Sequence, residues 1–242
     1  MLKTVPCTRD LVLIGGGHAH ALVLKTWGMS PLPGARLTVI NPGPTAPYTG
    51  MLPGHVGGHY GRDDLEIDLV RLCRHAGARL ILDRAVGLDR TRREVILKGR
   101  GPIAYDVASF DVGITAEMDL PGFATHAIGA KPLDRYAARW RAFLEQAGQG
   151  RVAPDVAVIG GGVAGCELAM AMAFALRTAG VTPRVTVIEA GPQISGVGDR
   201  ARRQMLSAMD DLGIKVRTDA RVVEVQADQV MLDGQPPVAA AL

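Results

Sequence analysis

Gly160, Gly162, Gly165 and Glu189 are the residues whose types and spacing point most directly to chemistry. A G-x-G-x-x-G cluster followed by an acid is a way for backbone to hold a dinucleotide. The first glycine permits a tight turn. The second has no side chain to keep a pyrophosphate off the main chain. The third lets a helix close on the strand before it. Free N–H groups at the start of that helix then face the phosphates, and the acid takes a ribose hydroxyl. In a glycine-rich chain such spacing means little unless the right elements flank it.

Those elements are present. Residues 156–159 are a short β-branched apolar run that reads as a buried strand. After the glycines comes a long Ala/Leu/Met-rich run without proline, which reads as a helix. Residues 185–188 form a second apolar run ending on Glu189. The same order occurs near the N-terminus. A strand over 11–14 leads into Gly15, Gly16 and Gly17. An apolar helix over 21–27 is stopped by Pro31 and Pro33, and a strand over 37–40 ends at Asn41. This copy departs from the pattern twice. His20 stands at the third-glycine position, and Asn41 replaces the acid, although an amide oxygen still accepts a hydrogen bond from a ribose hydroxyl.

Three further features bear on chemistry. Cys166 directly follows the second glycine turn, where a helix N-terminus lowers a thiol pKa. A reactive thiolate is one reading. A small buried residue at the helix–strand contact is the other and is favoured, because no second cysteine lies nearby to complete a disulfide. His55 and His59 are four apart, but Gly54, Gly57 and Gly58 argue against a helix that would pair them on a metal, so no metal site is expected. Residues 41–64 are dense in Pro and Gly. Tyr48, Met51, Leu52 and His55 make this stretch too apolar for a free linker, so it reads either as a loop lying against a bound ring system or as a loop plugging the core.

The chain has 242 residues, enough for one large or two ordinary domains, and its 48% hydrophobic content supplies a core. Aromatic residues at 4% are too few for the stacking platforms of single-strand nucleic-acid binding. A net charge of +3 is too small to imply a nucleic-acid partner. The three cysteines, Cys7, Cys73 and Cys166, form no CxxC, which fits reduced thiols and a cytoplasmic setting. No run approaches the ~20 apolar residues of a membrane span. The N-terminus lacks the apolar region and cleavage site of a signal peptide.

Between and after the two units the reading is coarser. Residues 67–76 read as a short helix with Gly77 as its C-cap. Residues 79–112 read as a meander of strands, turning at 90–93 and 99–102 and ending at Gly113. Pro121, Gly122 and Pro132 mark the exit from a first domain. Residues 134–146 have amphipathic-helix spacing. A helix over 199–212, capped by Gly213, precedes short strands at 214–217, 220–226 and 229–233, and an Ala-rich tail follows.

Two dinucleotide units with a strand meander between them resemble the two-domain flavoprotein oxidoreductases. These include type II NADH dehydrogenases, sulfide:quinone oxidoreductases and disulfide reductases. More narrowly, GGGHAHALVL, PYTGMLPGHVGGHY and the DLPG…KPL stretch are similar to the pyridine nucleotide-disulfide oxidoreductase-like flavoproteins often fused upstream of selenide, water dikinase. His18 and His20 belong to that signature. The resemblance covers residues 11–233 and implies FAD in the first unit and NAD(H) in the second. Gly15, Gly17 and His20 would then sit at the FAD pyrophosphate and Asn41 near the adenosine ribose, with His18 also among the cofactor-binding residues. The backbone at Ala85 would meet the adenine, and Tyr48, Met51, Leu52 and Pro53 would lie along the flavin. Asp111, Val112 and Gly113 fall where relatives carry an Ala-Thr-Gly turn near FAD, with different residues here. Gly160, Gly162 and Gly165 would hold the NAD pyrophosphate and Glu189 the ribose. An acid there repels a 2′-phosphate and favours NADH over NADPH. Glu167 matches a catalytic Glu near the nicotinamide–flavin contact. Its alternative reading is an acid favoured in the first turn of a helix.

The expected fold class is therefore α/β, with two Rossmann-like dinucleotide-binding domains. An FAD-binding domain over 1–130 lacks the returning C-terminal segment of its relatives. A linker and helix cover 131–153, and an NAD(H)-binding domain covers 154–242. The expected function is an FAD-dependent oxidoreductase passing electrons from NADH to an unidentified acceptor, with a link to selenium metabolism following only from the narrower resemblance. A truncated, non-catalytic nucleotide-binding remnant or subunit is one alternative, and a membrane-peripheral NADH:quinone reductase is another. An oligomer or a complementing C-terminal chain is expected as a protein partner.

Overall fold

Continuous β-branched runs such as those at 11–14 and 156–159 have no polar face, so their strands must be covered on both sides. The computed structural model, which describes residues 6–113, 119–131 and 133–242, meets that demand in two units. Pro132 and the first five residues, part of the stretches read above, lie outside the described residues. One unit comprises Met1–Thr49 and Asp63–Ile114, the other Gly50–Arg62 and Thr115–Leu242.

The first unit opens with β1 (Arg9–Ile14), α1 (His18–Met29) and β2 (Ala35–Asn41). A short strand β3 (Thr45–Pro47) pairs antiparallel with β4 (Glu66–Asp68). Between them the chain contributes α2 (Leu52–Val56) to the second unit. Then follow α3 (Leu69–Ala76), β5 (Arg79–Leu82), β6 (Ala85–Asp89), β7 (Glu94–Leu97), β8 (Ile103–Ala104) and β9 (Val107–Phe110). The parallel sheet has the order β5-β2-β1-β9. Side chains alternate across it. Leu13, Leu37 and Val39 pack with Leu24, Leu69 and Cys73 from α1 and α3. Val12, Ile14, Ile40 and Ile81 pack with Val95 and Leu97 of the antiparallel β6-β7-β8 sheet. Helices thus cover one face and a small sheet covers the other.

The second unit contains α4 (Phe123–His126), α5 (Leu133–Gly148), β10 (Asp155–Ile159), α6 (Val163–Thr178), β11 (Arg184–Ile188), α7 (Asp199–Asp211) and β12 (Lys215–Arg217). It ends with β13 (Val222–Val225), β14 (Gln229–Leu232) and β15 (Gln235–Ala239). β10-β11-β12 is parallel and β13-β14-β15 antiparallel. Ala157 and Ile159 of β10 pack with Val225, Val230 and Leu232 of the antiparallel sheet. Residues at the chain's end run alongside β10, the Ala157 N–H donating to the Leu242 carbonyl at 3.0 Å and the Ala241 N–H to that of Asp155 at 2.8 Å.

The two βαβ starts repeat down to a surface ion pair. Asp10 and Arg36 stand opposite each other in the register of β1 and β2, as Asp155 and Arg184 do in β10 and β11. Each arginine grips its aspartate with two N–H groups. Hydrogen bonding from Arg184 holds the Asp155 carboxyl below its ordinary value.

The structure corrects the coarser readings. The strand meander does not run to Gly113. It ends at β8, and β9 leaves it to lie parallel to β1, tied there by the Asp106 carboxylate accepting from the Asp10 N–H at 2.7 Å. The run at 79–89 divides at Asp83, whose carboxylate accepts from Arg84 and Gly99 N–H groups and turns the chain from one sheet into the other. Residues 235–239, read as tail, form β15, where Pro236 and Pro237 are tolerated on an edge strand. The glycine-rich stretch around His55 does form a helix. In α2, Leu52 and Val56 are 2% and 1% exposed, and the Trp140 indole N–H donates to the Val56 carbonyl at 3.1 Å. Burial and a borrowed donor outweigh the glycine propensity cost of about 1 kcal/mol per residue.

That donor gives a test. Trp140→Phe keeps an aromatic ring, though a smaller one, and leaves the Val56 carbonyl without its indole partner. We expect a loss of about 1–3 kcal/mol in urea unfolding, read by far-UV circular dichroism.

Candidate functional site

Each unit turns from strand to helix in the same way. Gly15 and Gly160 have φ of 89° and 107°, a region that costs glycine nothing and other residues strain. Their N–H groups donate to Ile40 and Ile188 carbonyls of the neighbouring strands at 2.9 and 2.8 Å. Gly17 and Gly162 are N-caps with nearly identical extended backbones and no side-chain cap. The residue ending the second strand holds the middle of the turn. Asn41 Oδ1 accepts from the Gly16 N–H at 3.1 Å, and Glu189 Oε2 from the Gly161 N–H at 2.8 Å.

The second cradle is open. A Cβ placed on Gly162 would find only Ser195 Oγ, at 3.9 Å. A Cβ on Gly165 would lie 2.0 Å from the Gly160 carbonyl oxygen, so the helix sits directly on the turn. Glu189 also accepts from the Gly191 N–H at 2.9 Å, yet a carboxylate has about four acceptor positions and capacity remains. These residues fit a dinucleotide pyrophosphate. An apolar cavity of about 500 Å³ opens beside the turn, lined by Val158, Gly160, Leu168, Met172 and Tyr136 among others. It is the kind of concavity that small-molecule sites use.

The first cradle is closed by its own side chains. The His20 ring is buried, its Nδ1 donating to the Gly15 carbonyl at 2.7 Å and its Nε2 paired with the Ser109 hydroxyl at 2.9 Å. An imidazole thus meets the carbonyl that the bare Cα of Gly165 meets in the second unit. The Asp111 carboxylate accepts from the His20 backbone N–H at 3.1 Å and lies against Gly17, 2.4–2.5 Å from where a Cβ would be. As it stands this cradle does not fit a pyrophosphate, because a carboxylate already occupies the anion position.

Tyr48 is 37% exposed, and its ring centroid is 6.0 Å from that of His18. Leu52 is buried in the second unit, with Met51 and Pro53 half-buried beside it. Asn41 is buried, its amide also donating to the Gly43 and Thr45 carbonyls. Ala85 pairs with Leu97 and packs on the sheet. Gly113 is exposed at φ 71°. Glu167 is exposed on α6 but outside its first turn, where there is no acid, so the helix-start reading of this residue fails. Cys166 is buried with its thiol toward the Gly161 carbonyl at 3.7 Å. Desolvation, then the charges of Glu189 and Glu167, push that thiol's pKa up, against a thiolate role. His55 bonds the Tyr60 carbonyl and His59 stacks near Phe174. No group of metal-binding side chains occurs among the described residues. The resemblance put Asp111 near FAD, but the contact of its carboxylate with Gly17 was not legible, because it lies far along the chain from the glycines it meets.

The family described as pyridine nucleotide-disulphide oxidoreductase matches residues 9–240. No curated protein matches the chain. Among solved structures, it is similar to the sulfide:quinone oxidoreductase of Aquifex aeolicus, with a TM-score of 0.80 and 18% identity over 97% of this chain and 57% of that one. It is also similar to NDH2 from Plasmodium falciparum solved with NADH, at TM-score 0.77 and 16% identity over 97% of this chain and 54% of that one. An NAD-dependent persulfide reductase from A. fulgidus matches at TM-score 0.74 and 21% identity over 96% of this chain and 44% of that one. At these identities the likeness is one of fold. The chain spans little more than half the length of the first two. No helix among the described residues is long and apolar enough to cross a membrane.

Two outcomes check this geometry. Gly165→Ala forces a Cβ onto the Gly160 carbonyl and should cost about 1–3 kcal/mol in urea unfolding, whereas Gly162→Ala should unfold like the parent. With a thiol reagent at pH 8, exposed Cys7 should react in the native protein. Buried Cys166, and Cys73, whose pKa burial pushes up to about 11, should react only after unfolding.

Proposed function

Because the chain belongs to the pyridine nucleotide-disulphide oxidoreductase family, whose members are NAD(P)H-dependent flavoenzymes, we propose that it carries the nucleotide-binding part of an NADH-dependent flavoprotein oxidoreductase. The open cradle of the second unit carries this reading. Gly160, Gly162 and the uncapped start of α6 present backbone N–H groups to a pyrophosphate. Glu189, fixed at the end of β11 by two backbone N–H groups, takes a ribose hydroxyl. When bound, NADH would supply a hydride at the second unit and a flavin would take it, the first unit holding that flavin once the Asp111 carboxylate is displaced. Glu167, exposed on α6, is the proposed catalytic carboxylate on the nicotinamide side. His18 and Tyr48 would flank the flavin nucleotide in the first unit.

One observation favours a second reading. With Asp111 in the first cradle, the chain would bind NADH without holding flavin at stoichiometric level. The visible spectrum of the purified protein separates the two, since bound flavin absorbs strongly and NADH alone does not absorb there.

Glu189 sets the nucleotide preference. A carboxylate beside a 2′-phosphate is a like-charge pair in a partly desolvated site. Calorimetric titration should give NADH tighter than NADPH by about tenfold or more, with the gap narrowed in Glu189→Ala. Equal affinities for the parent protein would refute the assignment.

A further inference from the structure

We propose that Asp111 is the residue that sets the affinity of the first cradle for a dinucleotide diphosphate. Its carboxylate occupies the anion position at the start of α1, so the phosphates must displace or oppose it. The proposal rests on reading the first unit as a flavin-dinucleotide site.

The placement follows from the fold. β9 lies parallel to β1 with Ile14 opposite Phe110, and the Asp111 N–H donates to the Ile14 carbonyl at 2.8 Å. The backbone of Asp111 is thereby pinned over the turn, its carbonyl oxygen 2.2 Å from where a Cβ on Gly15 would lie. From that anchor the side chain crosses Gly17, the glycine whose bare face admits a pyrophosphate. It accepts the His20 N–H at 3.1 Å, one of the donors that a phosphate oxygen would use. Among the described residues no ion pair includes Asp111.

The second unit is the internal control. It has the same turn and the same extended N-cap. Its strand-end acceptor is the Glu189 carboxylate where the first unit has the Asn41 amide, and no carboxylate lies over Gly162. Ser195 Oγ, at 3.9 Å, is the nearest atom to a Gly162 Cβ. The two cradles therefore differ in where a carboxylate sits: in the second it is Glu189 on the Gly161 N–H, and in the first it is Asp111 against Gly17, where the ligand carries its own charge. Two effects add in the first: like-charge repulsion, and competition for a backbone donor.

The test uses the full 242-residue chain. Asp111→Asn keeps an oxygen for the His20 N–H and removes the charge. Asp111→Ser supplies a shorter cap should the first variant fold poorly. FAD and riboflavin affinities are read from quenching of flavin fluorescence, with circular dichroism and an NADH titration confirming that fold and second cradle are intact. Both variants should bind FAD on the order of ten- to a hundredfold tighter than the parent, while riboflavin, which has no phosphates, binds as before. Unchanged or weaker FAD binding in folded variants overturns the role of Asp111, as does an equal gain for riboflavin. No FAD binding by parent or variants overturns the flavin-site reading along with it.

Discussion

A strand that must become a helix within three residues has little backbone freedom, and both units solve the problem alike. The first glycine takes a left-handed φ. Its N–H is held by the Ile40 or Ile188 carbonyl of the next strand, and the following N–H by the side chain of the residue after it, Asn41 or Glu189. These bonds aim the start of the helix at one point outside the sheet. Everything offered to a ligand depends on them, because the donors are main-chain groups whose direction is the direction of the turn. Asn41 and Glu189 are thus folding residues before they are binding residues. Glu189 has acceptor capacity to spare after serving two N–H groups. Asn41 also gives both amide protons to the Gly43 and Thr45 carbonyls, and so ties the turn to the loop beyond it.

The glycine turns were legible in the sequence because their determinants are local. Strand, glycines, helix and terminal polar residue lie within one continuous stretch, and each reports on its neighbour. What was not legible depends on distant partners. α2 forms among three glycines because Trp140, far along the chain, supplies an indole N–H and a buried surface. β9 reads like one more hairpin strand, yet pairs with β1 through Asp10 and Asp106. β15 carries two prolines and is rescued by its place at a sheet edge. In the candidate site, the glycines and Glu189 could be named from spacing. The carboxylate that closes the first cradle could not.

The two copies also show how far the motif can be changed without losing the turn. The contact at the third position is between the helix and the first glycine's carbonyl. Gly165 makes it by having no side chain, since its Cβ would fall 2.0 Å from that oxygen. His20 makes it through a ring N–H donated to the equivalent oxygen. One is a steric solution and the other a polar one, and the polar one brings Ser109 of β9 into the same network. The substitution therefore couples the first turn to the fourth strand of its sheet, and Asp111 follows directly on that strand. In the second unit the edge of β10 is bordered instead by residues 241 and 242 through backbone bonds alone. Glycine spacing makes a cradle possible. What lies along the open edge of the first strand then decides whether an anion meets free N–H groups there or a carboxylate already in place.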